Sequence, residues 1–309
     1  VLAAAIFLVL GLALLMYAGD HFVTGASRMA AALQISPVIV GALVLGFGTS
    51  APEMVVSGLA AWRGNLDLGL GNIVGSNVAN LSLGLGVAGL ISSVAISKSA
   101  IRREGPISLG AALLFSLVVI DGTLSRIEGI ILLVTLFAVI LYLIKSPSAS
   151  TEVFTSNSAH MFTPNLALAL VGLTGVLIGA QLAVTGATRL ATGWGLSGGF
   201  IGFSIVALGT SLPELVTTIA AARQKETGLI IGNLFGSNLF NSLAVGGSMG
   251  LVGGGVLEDA TMRGRGIYLM LAVIFFAYLL CVCGRKISRS KGALLLALYA
   301  GTMLLVGMA

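Results

Sequence analysis

Two carboxylates carry the chemistry of this sequence. Glu53 closes the hexapeptide GTSAPE (48–53) and Glu214 closes GTSLPE (209–214), each set between long apolar runs. A carboxylate in apolar surroundings is costly unless a cation or proton accompanies it, and inside a membrane it marks a functional site by default. Glycine and proline interrupt both runs, at Gly46, Gly48 and Pro52 and again at Gly209 and Pro213. Proline removes an N–H and blocks the carbonyl one turn back. Carbonyls freed in this way survive at membrane depth where protein or a water-filled cavity satisfies them. Those near Thr49 and Thr210 are therefore potential cation ligands, with the Ser50 and Ser211 hydroxyls beside them. A local reading competes: Ser50-Ala-Pro-Glu53 and Ser211-Leu-Pro-Glu214 both fit a capping box with proline early in the helix. That reading leaves the mutual repulsion of two juxtaposed carboxylates unexplained.

A second pair of segments follows, GNIVGSNVAN (71–80) and GNLFGSNLFN (232–241). Asn72, Ser76 and Asn80 are spaced i, i+4, i+8 and share one helix face, as do Asn233, Ser237 and Asn241. Facing the two glutamates, these stripes would complete an oxygen-lined cavity. Gly71, Gly75, Gly232 and Gly236 form small-xxx-small faces suited to close helix packing. Asn77 and Asn238 lie off the stripes, where they bond either the backbone breaks or a neighbouring helix. Ca²⁺ takes about 6–8 oxygens; two bidentate glutamates supply roughly four and the Thr49 and Thr210 carbonyls two more. Na⁺ could use the same oxygens. The absence of His and Cys near the motifs argues against zinc and copper.

The elements that hold these residues follow from composition. The chain has 309 residues, 57% hydrophobic and 9% charged, with mean hydropathy +1.08. Soluble domains carry about 25% charged residues, so lipid must be the main solvent here. Apolar runs of helical length match ~30 Å of hydrocarbon. The net charge of +5 belongs to loops between spans and does not indicate nucleic-acid binding. Spans are expected at 2–20, 36–62, 68–92, 104–120, 124–144, 165–188, 198–222, 227–252, 266–284 and 291–308. This is an all-α polytopic membrane protein with ten transmembrane helices, the second and seventh broken. The first run is as long as a span, so no cleavable signal peptide is expected, and the start at Val1 points to a trimmed N-terminus.

The halves are copies. Gly48 maps to Gly209, Glu53 to Glu214, Gly71 to Gly232 and Asn80 to Asn241, all at an offset of 161, and VTGASR (23–28) matches VTGATR (184–189). Across 48–80 and 209–241, fifteen of thirty-three positions are identical. Residues 1–145 form the first five-helix repeat, 146–164 a cytoplasmic linker and 165–309 the second repeat. Five is odd, so the second copy enters the membrane inverted, a signature of secondary transporters. Alternate loops hold eleven Lys and Arg against five, which puts the richer set in the cytoplasm and both termini outside.

The paired motifs resemble the two α-repeats of the cation/Ca²⁺ exchanger superfamily, with the nearest likeness to prokaryotic sodium/calcium exchangers. The resemblance covers nearly the whole chain. It implies an antiporter in a prokaryotic plasma membrane, working by alternating access, with Ca²⁺ and Na⁺ as transported ions and no cofactor. It carries ligand roles to Thr49, Ser50, Glu53, Ser76 and Asn80, and to Thr210, Ser211, Glu214 and Ser237. Asn241 stands where several such exchangers have Asp, which leaves the counter-ion open between Na⁺ and H⁺. A monomer is expected. An intramembrane enzyme would need a nucleophile with a base or a metal motif, and His21 and His160 both fall outside the repeat core. A passive channel fits poorly, because inverted repeats favour rocking between two faces. Asp20 is replaced by Gln181 in the second half, so its charge is not part of the repeated site. Glu104, Asp121, Glu128, Glu226, Glu258 and Asp259 read as solvated span ends, and Trp62, Trp194 and Tyr142 as interfacial aromatics. A disulfide between Cys281 and Cys283 is not expected, since alternate helix positions point apart.

Overall fold

The structure, a computed structural model, describes residues 2–33, 35–145, 162–193 and 207–307. Helices dominate. They are α1 (Leu2–Leu33), α2 (Pro37–Thr49 and Ala51–Trp62, bent by 44°), α3 (Leu66–Ile91), α4 (Ala100–Glu104 continuing as Gly105–Val119), α5 (Arg126–Lys145), α6 (Phe162–Gly193), α7 (Ala207–Thr210 and Leu212–Arg223), α8 (Thr227–Gly253), α9 (Met262–Arg285) and α10 (Arg289–Gly307). Among the described residues, seven helices are long and apolar enough to cross a membrane, and the bent α2 makes an eighth. In α4 the charges of Arg102, Arg103 and Glu104 leave a 15-residue helix, Gly105–Val119, to carry the apolar run. The start expected for the seventh span, the greater part of the linker, His160 and Trp194 lie outside the described residues.

The first helix departs from expectation. It does not end at residue 20 but runs to Leu33, because GDHFVTGASR contains no proline and its polar groups find partners. Asp20 pairs with Arg223 at 3.5 Å, Thr24 donates to Gln224 and Ser27 to Glu226. α6 is extended likewise, so Phe162–Asn165 is helix rather than linker. α1 and α6 pack antiparallel along a seam of small residues. Gly11, Ala18 and Gly25 recur every seven residues on one helix, and Gly172, Gly179 and Gly186 on the other. A spacing of seven keeps a seam facing its partner. A Cβ on Gly172 would lie 2.5 Å from the Phe22 nitrogen, and one on Gly186 would lie 2.4 Å from that of Leu8.

α3 and α8 occupy the centre, with 78% and 94% of their apolar windows buried. The glycine face of α8 packs tightly on α2: a Cβ on Gly236 would meet Ala42 Cα at 2.5 Å. Gly75 has no such neighbour within 4 Å among the described residues, and the residues at the equivalent offset, 199–203, lie outside them. π-helical turns widen the central helices at Ala79–Gly84 and Asn241–Val245, and another, Gly41–Gly46, precedes the break in α2. Such turns commonly mark functional sites.

Four two-residue strands escape the apolar pattern. β1 (Val94–Ala95) pairs antiparallel with β4 (Lys286–Ile287), and β2 (Thr123–Leu124) with β3 (Gly255–Val256). Each ladder joins a loop of one half to a loop of the other. Glu104 also differs from expectation: it is buried and paired with Arg103 rather than solvated. Cys281 and Cys283 are free thiols.

The seam sets a stability test. Gly172→Val should lower the stability of the detergent-solubilised protein by about 1–3 kcal/mol or more, the cost of overpacking a close contact. Gly110→Ala on the exposed side of α4 should be neutral or slightly stabilising. Thermal unfolding of the two variants checks this; equal melting temperatures would remove the seam from the account.

Candidate cation site

Glu53 and Glu214 sit in the first turn of the second half of α2 and of α7, directly after the breaks at Ser50 and Ser211. Pro52 and Pro213 lack the N–H that would bond the Gly48 and Gly209 carbonyls. Neither Ser50 nor Ser211 caps its helix through its side chain, so the capping-box reading fails. Ser50 Oγ instead donates to Glu214 Oε1 at 3.2 Å, across the two halves.

Both glutamates are 1% exposed. Neither is paired with Lys or Arg among the described residues. Both oxygens of Glu53, and Oε2 of Glu214, have no hydrogen-bond partner there. Ser50 precedes the half-helix that carries Glu53, so its bond to Glu214 brings the two acidic helix starts together. Two buried, mutually repelling carboxylates without counter-charge are strongly unfavourable. The donor set fits a hard cation: two carboxylates ringed by amides and hydroxyls, with no group of three His, Cys, Asp or Glu among the described residues.

The polar ring is built from contacts within and between the halves, of which those of Asn72 and Asn233 repeat at equivalent positions. Asn72 Nδ2 donates to Ser57 Oγ at 2.9 Å, and Asn233 Nδ2 to Thr218 Oγ1 at 3.2 Å. Thr210 Oγ1 donates to Asn72 Oδ1 at 3.1 Å, while Thr49 Oγ1 lies 3.5 Å from Asn233 Oδ1 and donates more closely, at 2.9 Å, to the Leu45 carbonyl. Ser211 Oγ donates to Ser76 Oγ at 2.9 Å, and Thr49 lies 3.4 Å from Ser237 Oγ. Behind the ring, Asn80 Nδ2 donates to Asn238 Oδ1 at 3.0 Å, Asn238 Nδ2 to the Asn77 carbonyl and Asn77 Nδ2 to Ser242 Oγ. Asn77 and Asn238 thus join α3 to α8 rather than bonding the helix breaks.

Thr49, Ser50, Ser76, Asn80, Thr210, Ser211, Glu214 and Ser237 each take part in a contact that crosses between the halves, whereas the Glu53 carboxylate makes none among the described residues. Asn241 is buried at the start of a π turn, and its amide makes no hydrogen bond among the described residues. Ser57 and Thr218, which hold Asn72 and Asn233, were not singled out from the sequence. Their signal is an i−15 spacing from those asparagines and hydroxyls at the same 161-residue offset.

The family described as "Sodium/calcium exchanger protein" matches residues 3–145 and 164–308, and the chain belongs to it. It is 37% identical to the putative antiporter CaxA of Alkalimonas amylolytica over 97% of each chain. It is 26% identical to the sodium/calcium exchanger MaX1 of Methanosarcina acetivorans, again over 97% of each. A structure of the sodium-calcium exchanger NCX_Mj soaked with 2.5 mM Na⁺ and 0.1 mM Ca²⁺ superposes with a TM-score of 0.87, at 32% identity and 98% coverage of both chains.

The asparagine ladder is testable apart from transport. Asn238→Leu strands the Asn80 amide and the Asn77 carbonyl, and unsatisfied buried groups cost about 1–3 kcal/mol each. The variant should melt well below the native protein, and unchanged melting would show the ladder to be structurally idle.

Proposed function

We propose that the chain is a secondary active antiporter exchanging Ca²⁺ for Na⁺ across a prokaryotic plasma membrane. The observation that carries this reading is the pair of fully buried glutamates, contributed by equivalent positions and facing one polar ring. Their combined charge of −2 is neutralised by one Ca²⁺ or by two Na⁺, so either ion relieves the same repulsion and the two compete for one place. Thr49, Ser50, Ser76, Asn80, Thr210, Ser211, Ser237 and Asn241 supply neutral oxygens around it. Membership of the sodium/calcium exchanger family supports Na⁺ over H⁺ as the counter-ion.

The architecture proposed with this function is ten transmembrane helices in two inverted five-helix repeats, residues 1–145 and 165–309, joined by a cytoplasmic linker, in a monomer. The antiparallel α1–α6 seam and the two cross-half ladders support it. Both termini face outward, as the Lys and Arg distribution requires. The halves make unequal contacts: Ser50 bonds Glu214, whereas Ser211 bonds Ser76 rather than Glu53. Two equivalent halves in unequal arrangements define a second state with the arrangements interchanged, and that interchange exposes the site alternately to each side.

Glu53→Gln and Glu214→Gln should each reduce Na⁺-driven Ca²⁺ flux in proteoliposomes about a hundredfold or more, since each removes half the charge that holds the ion. Wild-type flux in both variants would sink the site assignment. Flux that follows a pH gradient and ignores a Na⁺ gradient at fixed pH would make the protein a Ca²⁺/H⁺ exchanger. Asn241→Asp adds a third acid beside the pair and should raise Ca²⁺ affinity in equilibrium binding; unchanged affinity would place Asn241 outside the ion's reach.

A further inference from the structure

α4 and α5 are consecutive in the chain, yet they leave a groove of 600 Å³ between Arg102–Ile107 and Val134–Tyr142. It is lined by Pro106, Ile107, Val134, Thr135, Ala138 and Val139, with Arg102 and Arg103 at the start of α4 and Tyr142 near the end of α5. The two arginines are not equivalent. Arg103 is bound to the buried Glu104. Arg102 is exposed and makes no hydrogen bond or ion pair among the described residues. The groove lies at the end of α4 that follows the basic loop, whose strand β1 pairs with β4 at Lys286, three residues before Arg289.

The geometry points to a binding site for an anionic phospholipid. The free guanidinium of Arg102 takes the headgroup phosphate, for which its planar fork of donors is suited. Tyr142 stands at headgroup level, as interfacial tyrosines do. An acyl chain lies along the aliphatic walls between the helices. A soluble anion would use the arginine but none of the apolar wall, and a zwitterionic lipid would use the wall but gain less from the arginine. Basic pockets between membrane helices recognise anionic headgroups in this manner. The site lies away from Glu53 and Glu214 and stands whether or not the chain exchanges Ca²⁺ for Na⁺.

Native mass spectrometry of the full chain in uncharged detergent, titrated separately with phosphatidylglycerol and phosphatidylcholine, tests this. Phosphatidylglycerol should bind first and more tightly. Arg102→Gln should weaken that first binding about fivefold, the contribution of one basic residue to an anionic headgroup. Arg289→Gln, which removes the same charge from a residue outside the groove, should leave it unchanged. Ala138→Trp, which fills the groove without altering charge, should weaken both lipids. Equal affinity for the two lipids in the native protein would overturn the proposal. So would equal losses in the two arginine variants, or an Ala138→Trp protein that binds as the native one does.

Discussion

The structure depends on holding two carboxylates together where water is excluded. Desolvating Glu53 and Glu214 is unfavourable, and setting them side by side adds repulsion. Every neighbouring feature reduces that cost or makes it recoverable. The prolines release carbonyls beside the charges. Asparagine, serine and threonine present neutral oxygens that ring them without supplying a permanent counter-charge. A lysine in the same position would cancel half of that charge for good and leave a single carboxylate for an ion to meet. The site is therefore defined as much by the cations it lacks as by the acids it has.

Such a site needs rigid walls, and the fold supplies them by close backbone approach. Gly232 and Gly236 let α8 lie directly on α2, which brings Ser237 and Asn233 up to Thr49. The ladder of Asn77, Asn80 and Asn238 ties α3 to α8 behind the ring. Interhelical hydrogen bonds of this kind are modest individually in a membrane, but the Asn238 side chain takes part in two of them, so its loss breaks both. Around this centre α1 and α6 form a separately packed pair, with Leu15, Ala18, Val176, Ala180 and Ala183 as its own small core.

Much of this was legible in the sequence because the duplication repeats each costly residue. A lone Glu53 is ambiguous between cap and ligand, whereas Glu53 and Glu214 at one offset, each with its proline, are not. The i, i+4, i+8 stripes were legible for the same reason. Other features were not. Asp20 and His21 resembled the end of a span because composition does not reveal that Arg223 and Gln224 wait across a neighbouring helix. Glu104 resembled a solvated residue because its partner, Arg103, is adjacent in sequence and its burial is a tertiary fact. The four strands are too short to leave a period-two pattern. The unequal contacts of Ser50 and Ser211 are invisible in principle, since their local sequences are nearly the same.

The α1–α6 seam has a consequence for biosynthesis. The glycines of α1 are complementary to a helix that begins more than a hundred residues later in the chain. At about 5–20 residues per second, the ribosome needs on the order of ten seconds to deliver that partner. During that interval α1 waits in the bilayer with its backbone seam against lipid, and Glu53 waits without Ser237, Asn233 or Glu214. The first five helices are thus a half-built template, and the emerging second half assembles onto them. Late steps of synthesis, rather than early ones, complete the polar centre.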